Sequence, residues 1–245
     1  MKGLVYCISI LCIVACSKQQ RDDCFTALGD QVNITRQLAS DFDKLLVNDR
    51  IHLVILQDST KAGKLQLTAP EGLIKQISSD VNNGKLSLVN DNTCNFVRNY
   101  DYSITGVLYI NQLIEITIES IASIDIPDTI MISDLTLNNS ALSDNFLRLK
   151  GNSILVESSN SASTYLEGEL SILRGNIEEI SELEASSLVA EEVILDTHTP
   201  FDTYVNASDG IYVKIYNSGN VIYDTEPKEY KIVAERTGIG NLLKK

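Results

Sequence analysis

The sequence predicts an all-β protein, and three observations support this prediction. Most of the chain consists of short runs in which apolar and polar residues alternate, as in strands with one buried face. No long stretch has the period of a helix. From about residue 121 onward, similar segments recur every 12 to 21 residues, as in the stacked rungs of a β-solenoid. The predicted fold is therefore a β-solenoid, with a β-sandwich as the alternative.

The first 15 residues have the pattern of an export signal. Lys2 supplies a positive start, and residues 3–15 form an apolar run. This run is shorter than the roughly 20 residues that a helix needs to cross a bilayer. Residues 13–16, with the sequence IVAC, are similar to a bacterial lipobox, in which a small residue precedes the cysteine that receives the lipid. We therefore predict a lipoprotein signal peptide over residues 1–15 and lipid attachment at Cys16, the alternative being an ordinary signal peptide.

A polar segment separates the predicted lipid from the predicted fold. Residues 16–23 contain the run SKQQRDD, which has no apolar side chain to bury and is expected to act as a flexible tether. One acyl chain holds a membrane only weakly, so stable anchoring requires a multiply acylated cysteine. The remainder of the chain, residues 24–245, is interpreted as a single domain.

The charge of the chain excludes one large class of partners. It carries 33 acidic and 20 basic residues, for a net charge of −13. A protein this acidic does not bind nucleic acid by neutralising phosphates. It is also repelled by anionic lipid surfaces, so membrane attachment is expected through the lipid on Cys16 and not through the protein surface.

Two cysteines, Cys24 and Cys94, remain in the predicted exported chain after the signal and the lipidated residue. Export favours a disulfide between them, which would stabilise the fold by up to roughly 4 kcal/mol in the chain-entropy description. A zinc site would need four ligands, and the two histidines, His52 and His198, do not have finger-like spacing. No metal or cofactor is predicted.

The alternating runs lie between turn residues along the first half of the exported chain. The Asn83-Gly84 pair gives the strongest local signal, because both residues tolerate the positive φ of a type I′ hairpin. With no tryptophan and few aromatic residues, the core is expected to consist of isoleucine, leucine and valine. The predicted strands cover residues 51–57, 64–70, 85–91, 106–111 and 113–120.

Residues 175–196 allow two interpretations. Ile177, Ile180 and Leu183 have helical spacing, whereas Ser186-Ser187 and Val193-Ile194 favour strand, so either a short helix or a solenoid rung is compatible with the sequence. The seven acidic residues of the segment lack the alternate oxygen spacing and glycine turn of a calcium loop. They are interpreted as a solvated surface.

The sequence contains few candidates for catalysis. It has no G-x-S-x-G, Walker or HExxH motif. His52 is expected on the outer face of a strand and His198 in a turn before Pro200. The chain is therefore predicted not to be an enzyme.

A glycan-active enzyme, either a lyase or a hydrolase, is the alternative function. Parallel β-helices can support such chemistry with carboxylates that converge to within about 5–10 Å. Stacked rungs would allow two such sets of acidic residues: Asp125, Asp128 and Asp134, or Glu157 and Glu167.

Both ends of the exported chain resemble the head GIN domain lipoproteins, a group labelled autotransporter adhesins. Residues 24–58 are similar to the opening of these proteins, and residues 82–100 to their next segment, which includes a cysteine. At the C-terminal end the resemblance rests on a series of glycines and their neighbours: Ser218-Gly219-Asn220-Val221, Tyr223, Pro227 and Gly238-Ile239-Gly240. Residues 121–200 match weakly, and Asn217 and Asp224-Thr225-Glu226 stand where the family usually has glycine.

The resemblance implies a single-stranded, right-handed parallel β-helix with an N-terminal hairpin region. It also implies that Cys94 pairs with the cysteine that follows the tether. We accordingly expect a lipid-anchored protein of the cell envelope, attached to the outer membrane and either periplasmic or surface-exposed. Its expected role is non-enzymatic binding, adhesion or scaffolding, with a glycan, a surface protein or a second copy of itself as the partner.

Overall fold

A computed structural model describes residues 27–92, 102–228 and 231–245. The predicted signal peptide, the tether, Cys16, Cys24 and Cys94 lie outside these residues, so the lipid attachment and the disulfide remain predictions. Within these described residues the chain forms sixteen strands and one short helix, α1 (Glu71–Ile74). The strands are β1 (Gln31–Gln37), β2 (Lys44–Asn48), β3 (His52–Gln57), β4 (Lys64–Pro70), β5 (Ile77–Asn82), β6 (Lys85–Asn90), β7 (Thr105–Ile110), β8 (Glu115–Glu119), β9 (Ser123–Asn139), β10 (Asp144–Ser158), β11 (Ser163–Ile177), β12 (Glu182–Thr197), β13 (Thr203–Ile215), β14 (Val221–Tyr223), β15 (Lys231–Arg236) and β16 (Leu242–Lys244).

The strands build a parallel β-solenoid of about six turns with antiparallel strands at its N-terminal end. The long strands β9 to β13 stack in parallel, each on the next. Side chains that meet between neighbouring rungs lie 18 to 21 residues apart in sequence. The prediction of a β-solenoid is confirmed, and the β-sandwich alternative is wrong.

Each long strand bends twice and so contributes to three faces of the solenoid. The first face contains residues 123–126, 144–148, 163–167, 182–185 and 203–205. The second face contains residues 134–139, 153–158, 172–177, 192–197 and 210–215, and a short middle face joins the two. Irregular register at the corner after the first face lets some rungs carry extra residues there.

The core is a continuous aliphatic column inside these faces. Side chains alternate between buried and outward positions along each strand, as in β10, where Leu147, Leu149, Ile154 and Val156 are buried. Phe42, Tyr102 and Tyr223 are the aromatic residues within the buried core of the described chain. The predicted core of isoleucine, leucine and valine is thus confirmed, with several buried alanines in addition. Burying each large aliphatic side chain contributes about 1.5–3 kcal/mol.

Antiparallel strands cover the N-terminal end of the solenoid. On the first face β4 and β1 add to the sheet, and on the second face β5 pairs with β6. The hairpin between β5 and β6 turns at Asn83 (φ 51°) and Gly84 (φ 75°), as the sequence predicts. Arg36 ties the two edges together, because its guanidinium donates to the carbonyls of Ile77 (2.6 Å) and Ile74 (3.2 Å). Burial lowers the pKa of Arg36 from its ordinary value.

Residues 175–196 form part of a rung and not a helix. Ile177 ends β11 and is buried, Ile180 lies exposed in the turn, and Leu183 is buried at the start of β12. The helical spacing of these three residues therefore arises from two strands and the turn between them. The glutamates of residues 175–196 do not lead to a helix. Part of the segment forms an exposed turn, and the apolar residues of the two flanking strands are buried in the core.

The C-terminal glycine motif of the sequence has a structural role at a corner. A Cβ on Gly219 would lie 2.0 Å from the carbonyl oxygen of Phe201, so only glycine allows the rungs to approach this closely. The neighbouring Asn220 uses its backbone and side-chain nitrogens to donate to Asp202 Oδ1, both at 2.9 Å, and its Oδ1 accepts from the backbone N–H of Asn241. This motif links three consecutive rungs.

Candidate functional site

An open groove of about 400 Å³ lies on the first face of the solenoid. Its floor is built from outward side chains that stand in register on four consecutive rungs. Asp125 pairs with Phe146, Phe146 with Tyr165, and Tyr165 with Glu184. Because the inward neighbours Leu147 and Leu166 are buried, alternation directs these four side chains outward. We call this row the aromatic ladder.

The two aromatic rings at the centre of the ladder are stacked. The ring centroids of Phe146 and Tyr165 are 4.6 Å apart, and the ring planes differ by 16°. This separation is close to the spacing of about 4.8 Å between neighbouring strands, so the stack follows the solenoid axis. Phe146 is 47% exposed, and Tyr165 is half-buried on the outer side of its strand. The pair is an exposed, preorganised aromatic surface.

One wall of the groove is held by Arg148, two residues after Phe146. Its guanidinium donates to Glu167 on the next rung at 2.8 Å and to the carbonyl oxygen of Pro127 on the preceding rung. Proximity to Glu167 raises the pKa of Arg148 further above its ordinary value. Pro127 belongs to the additional residues at the corner of β9, so the irregular register of that strand helps to shape the wall.

The groove is strongly acidic. Arg148 is the single basic residue among the charged groups described at the groove and around Tyr165, which include six carboxylates: Asp125, Asp128, Asp144, Glu167, Glu182 and Glu184. Burial raises the pKa of the Tyr165 hydroxyl, and the nearby charges of Asp144, Glu182 and Glu184 raise it further. The aromatic ladder therefore lies in a region of negative potential.

The carboxylates considered for catalysis come together only in part. Glu157 lies on the second face beside a groove that contains Asn138 and Asn176, whereas Glu167 lies on the first face. Asp134 accepts hydrogen bonds from Ser153 (2.5 Å) and Asn152 (2.9 Å), and these bonds lower its pKa.

Asp125 and Asp128 remain together, since both act on the guanidinium of Arg148. Their role is to contribute negative charge beside Arg148 in the first-face groove.

Both histidines occupy structural positions. His52 is exposed on the outer side of β3, as predicted, and its Nδ1 lies 2.9 Å from the Ser123 hydroxyl. His198 lies in the turn between β12 and β13, where its ring stacks on Tyr216 with centroids 4.1 Å apart. Each histidine therefore links its own rung to a neighbouring one.

Two further surface depressions are wider or less apolar than the first-face groove. One lies on the middle face beside the ion pair of Lys150 and Glu169, and the other lies on the second face among asparagine and glutamate side chains. Within residues 27–92, 102–228 and 231–245, histidine, cysteine, aspartate and glutamate form no cluster suited to a metal ion. In the same ranges, no helix is long and apolar enough to cross a membrane.

The aromatic pair of Phe146 and Tyr165 was not predicted from the sequence. Alignment of the segments FLRLKG (146–151) and YLEGEL (165–170) would have identified the pair. In this alignment Phe146 matches Tyr165, and Arg148 matches Glu167 two residues later on the same outward side. The Arg148–Glu167 pair has the same 19-residue separation, which reports the rung length directly.

One protein family matches most of the chain. Residues 41–227 match the family described as "Putative auto-transporter adhesin, head GIN domain". This match includes the first-face groove and most of the solenoid. No curated protein matches the chain.

Solved structures share the fold at low sequence identity. A protein from Bacteroides fragilis described as a "putative adhesin" is 17% identical with a TM-score of 0.81, over 88% of this chain and 97% of that one. A protein from Parabacteroides merdae with the same description is 14% identical with a TM-score of 0.66, over 89% and 97% of the two chains. A protein from Parabacteroides distasonis described as lipid binding is 16% identical with a TM-score of 0.69, over 89% and 97%.

Proposed function

Because this chain belongs to the head GIN domain family of auto-transporter adhesins, we propose that it is a lipid-anchored, non-enzymatic binding protein of the cell envelope. In this proposal the lipid on Cys16 holds the solenoid at the outer membrane. The first-face groove binds an external macromolecule, and this binding is the basis of the proposed role in adhesion. The names of the similar solved structures, adhesins and a lipid binding protein, support a binding role.

One observation carries the proposal for the groove: the exposed stack of Phe146 and Tyr165. An aromatic side chain left outward on a sheet gains nothing from the core, yet aromatic residues dominate the energetics of many interfaces. Arg148 and Glu167 form an ion pair beside the stack. Because the two rings already stack on each other, a ligand does not have to bring them together, which favours affinity.

The binding role is tested by applying the purified full-length chain, in a mild nonionic detergent, to arrays of glycans and of extracellular and envelope proteins. We expect saturable binding to at least one class of array member, and no turnover of any polysaccharide that is bound. Absence of binding across both arrays would contradict the proposed adhesion role. Cleavage of a bound glycan would contradict the non-enzymatic part of the proposal.

The lipid anchor gives a separate prediction. Cells that express the chain and receive labelled palmitate are expected to incorporate label into the wild type but not into a Cys16→Ala variant, because the thiol is the atom that is acylated. The wild type should fractionate with the outer membrane, whereas the variant should be released or remain unprocessed in the inner membrane. A Cys24→Ala variant serves as the control and should still be labelled. Label in the Cys16→Ala variant would contradict this attachment site.

Surface display can be examined with the same strains. Protease treatment of intact cells should degrade the chain if it faces outward, as adhesion to an external macromolecule requires. A periplasmic protein used as a marker must stay intact in the same sample. Protection of the chain in intact cells, followed by degradation after lysis, would restrict the binding role to the periplasm.

A further inference from the structure

The residues at the two ends of the aromatic ladder indicate which chemical group of a ligand can stack on its rings. The rings stack face to face along the solenoid axis, so the outer face of Phe146 is directed toward the rung of Asp125. In the same way, the outer face of Tyr165 is directed toward the rung of Glu184. The side chains of Asp125 and Glu184 are smaller than an aromatic ring and leave room above the two outer ring faces. A flat group that stacks on either outer face would therefore lie beside a carboxylate.

The charge around the ladder selects a cation. Three carboxylates act on the Arg148 guanidinium, which is already paired with Glu167, and three other carboxylates act on Tyr165. A cation over an aromatic face is attracted by the ring, by about 0.5–2 kcal/mol depending on how far it is desolvated. Carboxylates beside the ring add to this attraction. The whole chain, with a net charge of −13, also attracts basic partners at longer range.

A guanidinium fits this combination better than an ammonium. It is planar and stacks on an aromatic ring, and its fork of N–H donors binds a carboxylate with two parallel hydrogen bonds. An ammonium is a compact point charge that keeps its hydration and cannot stack. Glu184 is preorganised for such a pair, because its Oε1 accepts from the backbone N–H (3.0 Å) and the hydroxyl of Ser186.

The length of the ladder indicates the form of the ligand. The rungs of Asp125 and Glu184 are three strand spacings apart, or about 14 Å. In an extended peptide, residues four apart are separated by about 13 Å and project to the same side. Two arginines with three residues between them can therefore reach both ends of the ladder when the peptide runs along the solenoid axis.

We propose that the first-face groove binds an extended, arginine-containing segment of a partner protein. One guanidinium stacks on the outer face of Phe146 and pairs with Asp125, and a second stacks on Tyr165 and pairs with Glu184. This inference rests on the proposed binding function of the same groove and names its ligand class.

The test uses fluorescence anisotropy of a labelled seven-residue peptide of glycine and serine with arginines at the second and sixth positions. The purified full-length chain is titrated into this peptide and into versions with lysine or with neutral citrulline at both positions. We expect the lysine peptide to bind about tenfold more weakly, the equivalent of about 1.4 kcal/mol. The citrulline peptide should show no saturable binding. Equal affinity for the three peptides would overturn the inference.

Variants of the chain locate the bound peptide. Tyr165→Ala and Asp125→Asn should each weaken the arginine peptide about tenfold, since each removes one partner of a guanidinium. Tyr212→Ala is the matched control, because Tyr212 is an outward tyrosine on the second face, in register with Ile194. Its affinity should equal that of the wild type. Equal losses in all three variants, or no loss in the first two, would overturn the assignment to the groove.

The same variants separate this inference from the broader function. If the arginine peptide does not bind but array binding is lost in Tyr165→Ala, the ligand class is wrong and the proposed binding groove stands. If array binding survives in Tyr165→Ala and the peptide also fails, both the ligand class and the assignment of binding to this groove are wrong. A circular dichroism spectrum of each variant, compared with the wild type, checks that it is folded.

Discussion

Replacement of Gly168 by alanine is expected to destabilise the solenoid by about 3–5 kcal/mol. Gly168 has φ = 125° at the corner between the first and middle faces, in the left-handed region that residues with a Cβ rarely adopt. A Cβ at this position would lie 1.9 Å from the carbonyl oxygen of Leu149 on the preceding rung. The backbone of one rung must therefore move away from the other, which disturbs the hydrogen bonds between β10 and β11.

Thermal unfolding followed by circular dichroism measures this effect. For a chain of this length, a loss of a few kcal/mol lowers the midpoint by on the order of 10 °C. The matched control is Glu169→Ala at the next residue, which removes the exposed ion pair with Lys150 (2.8 Å) and should leave the midpoint nearly unchanged. If Gly168→Ala unfolds at the wild-type temperature, the close approach of the rungs at this corner is wrong.

Replacement of Tyr165 by alanine is expected to weaken binding to the partner recovered on the arrays by about 10- to 30-fold, or about 1.4–2 kcal/mol. The ring contributes its own contact surface and also holds Phe146 in the stack, at a centroid distance of 4.6 Å. Its loss leaves Phe146 free to change rotamer, so part of the preorganised surface disappears. Tyr165 is only half-buried and outward, so the core is unaffected.

Surface plasmon resonance with the immobilised partner measures this loss as a change in Kd. Tyr165→Phe is expected to retain most of the affinity, because the phenyl ring preserves the stack and only the hydroxyl is removed. Tyr212→Ala on the second face should behave as the wild type. An unchanged Kd for Tyr165→Ala would show that the partner binds elsewhere on the solenoid.

The architecture could be predicted because its determinants are local and periodic. Alternation of apolar residues in runs such as residues 51–57 and 64–70 predicted β3 and β4, and the rung-length recurrence predicted the solenoid. The Asn83-Gly84 turn was equally clear, since the required positive φ restricts the residues that can occupy it.

The segment of residues 175–196 could not be assigned in the same way. Ile177, Ile180 and Leu183 have helical spacing only because a turn separates two strands, and spacing alone does not show where a chain bends. The physical reason for a rung is nonlocal: the preceding and following strands each offer an unpaired edge that β12 fills.

The groove was missed because it depends on register between rungs. Phe146 and Tyr165 are 19 residues apart in the sequence. They become neighbours only when β10 and β11 pair in the observed register. Register also shifts between Leu147 and Leu149 against β9, and between Tyr165 and Glu167 against β12. These irregularities help to determine which side chains meet at the corner, whereas Glu157 and Glu167, a pair considered under the alternative function, lie apart because they belong to different faces. A sequence pattern gives the outward direction of each side chain but not its neighbour on the next rung.

The central claim is that the first-face groove is the ligand-binding surface. It is tested most directly by NMR of the chain with ¹³C-labelled phenylalanine and tyrosine rings, during titration with the partner recovered on the arrays. The ring signals of Phe146 and Tyr165, assigned with single substitutions, are predicted to shift with the same saturation curve as binding, while the Tyr212 signal stays unchanged. Saturable binding that shifts Tyr212 and leaves Phe146 and Tyr165 unchanged would contradict the claim.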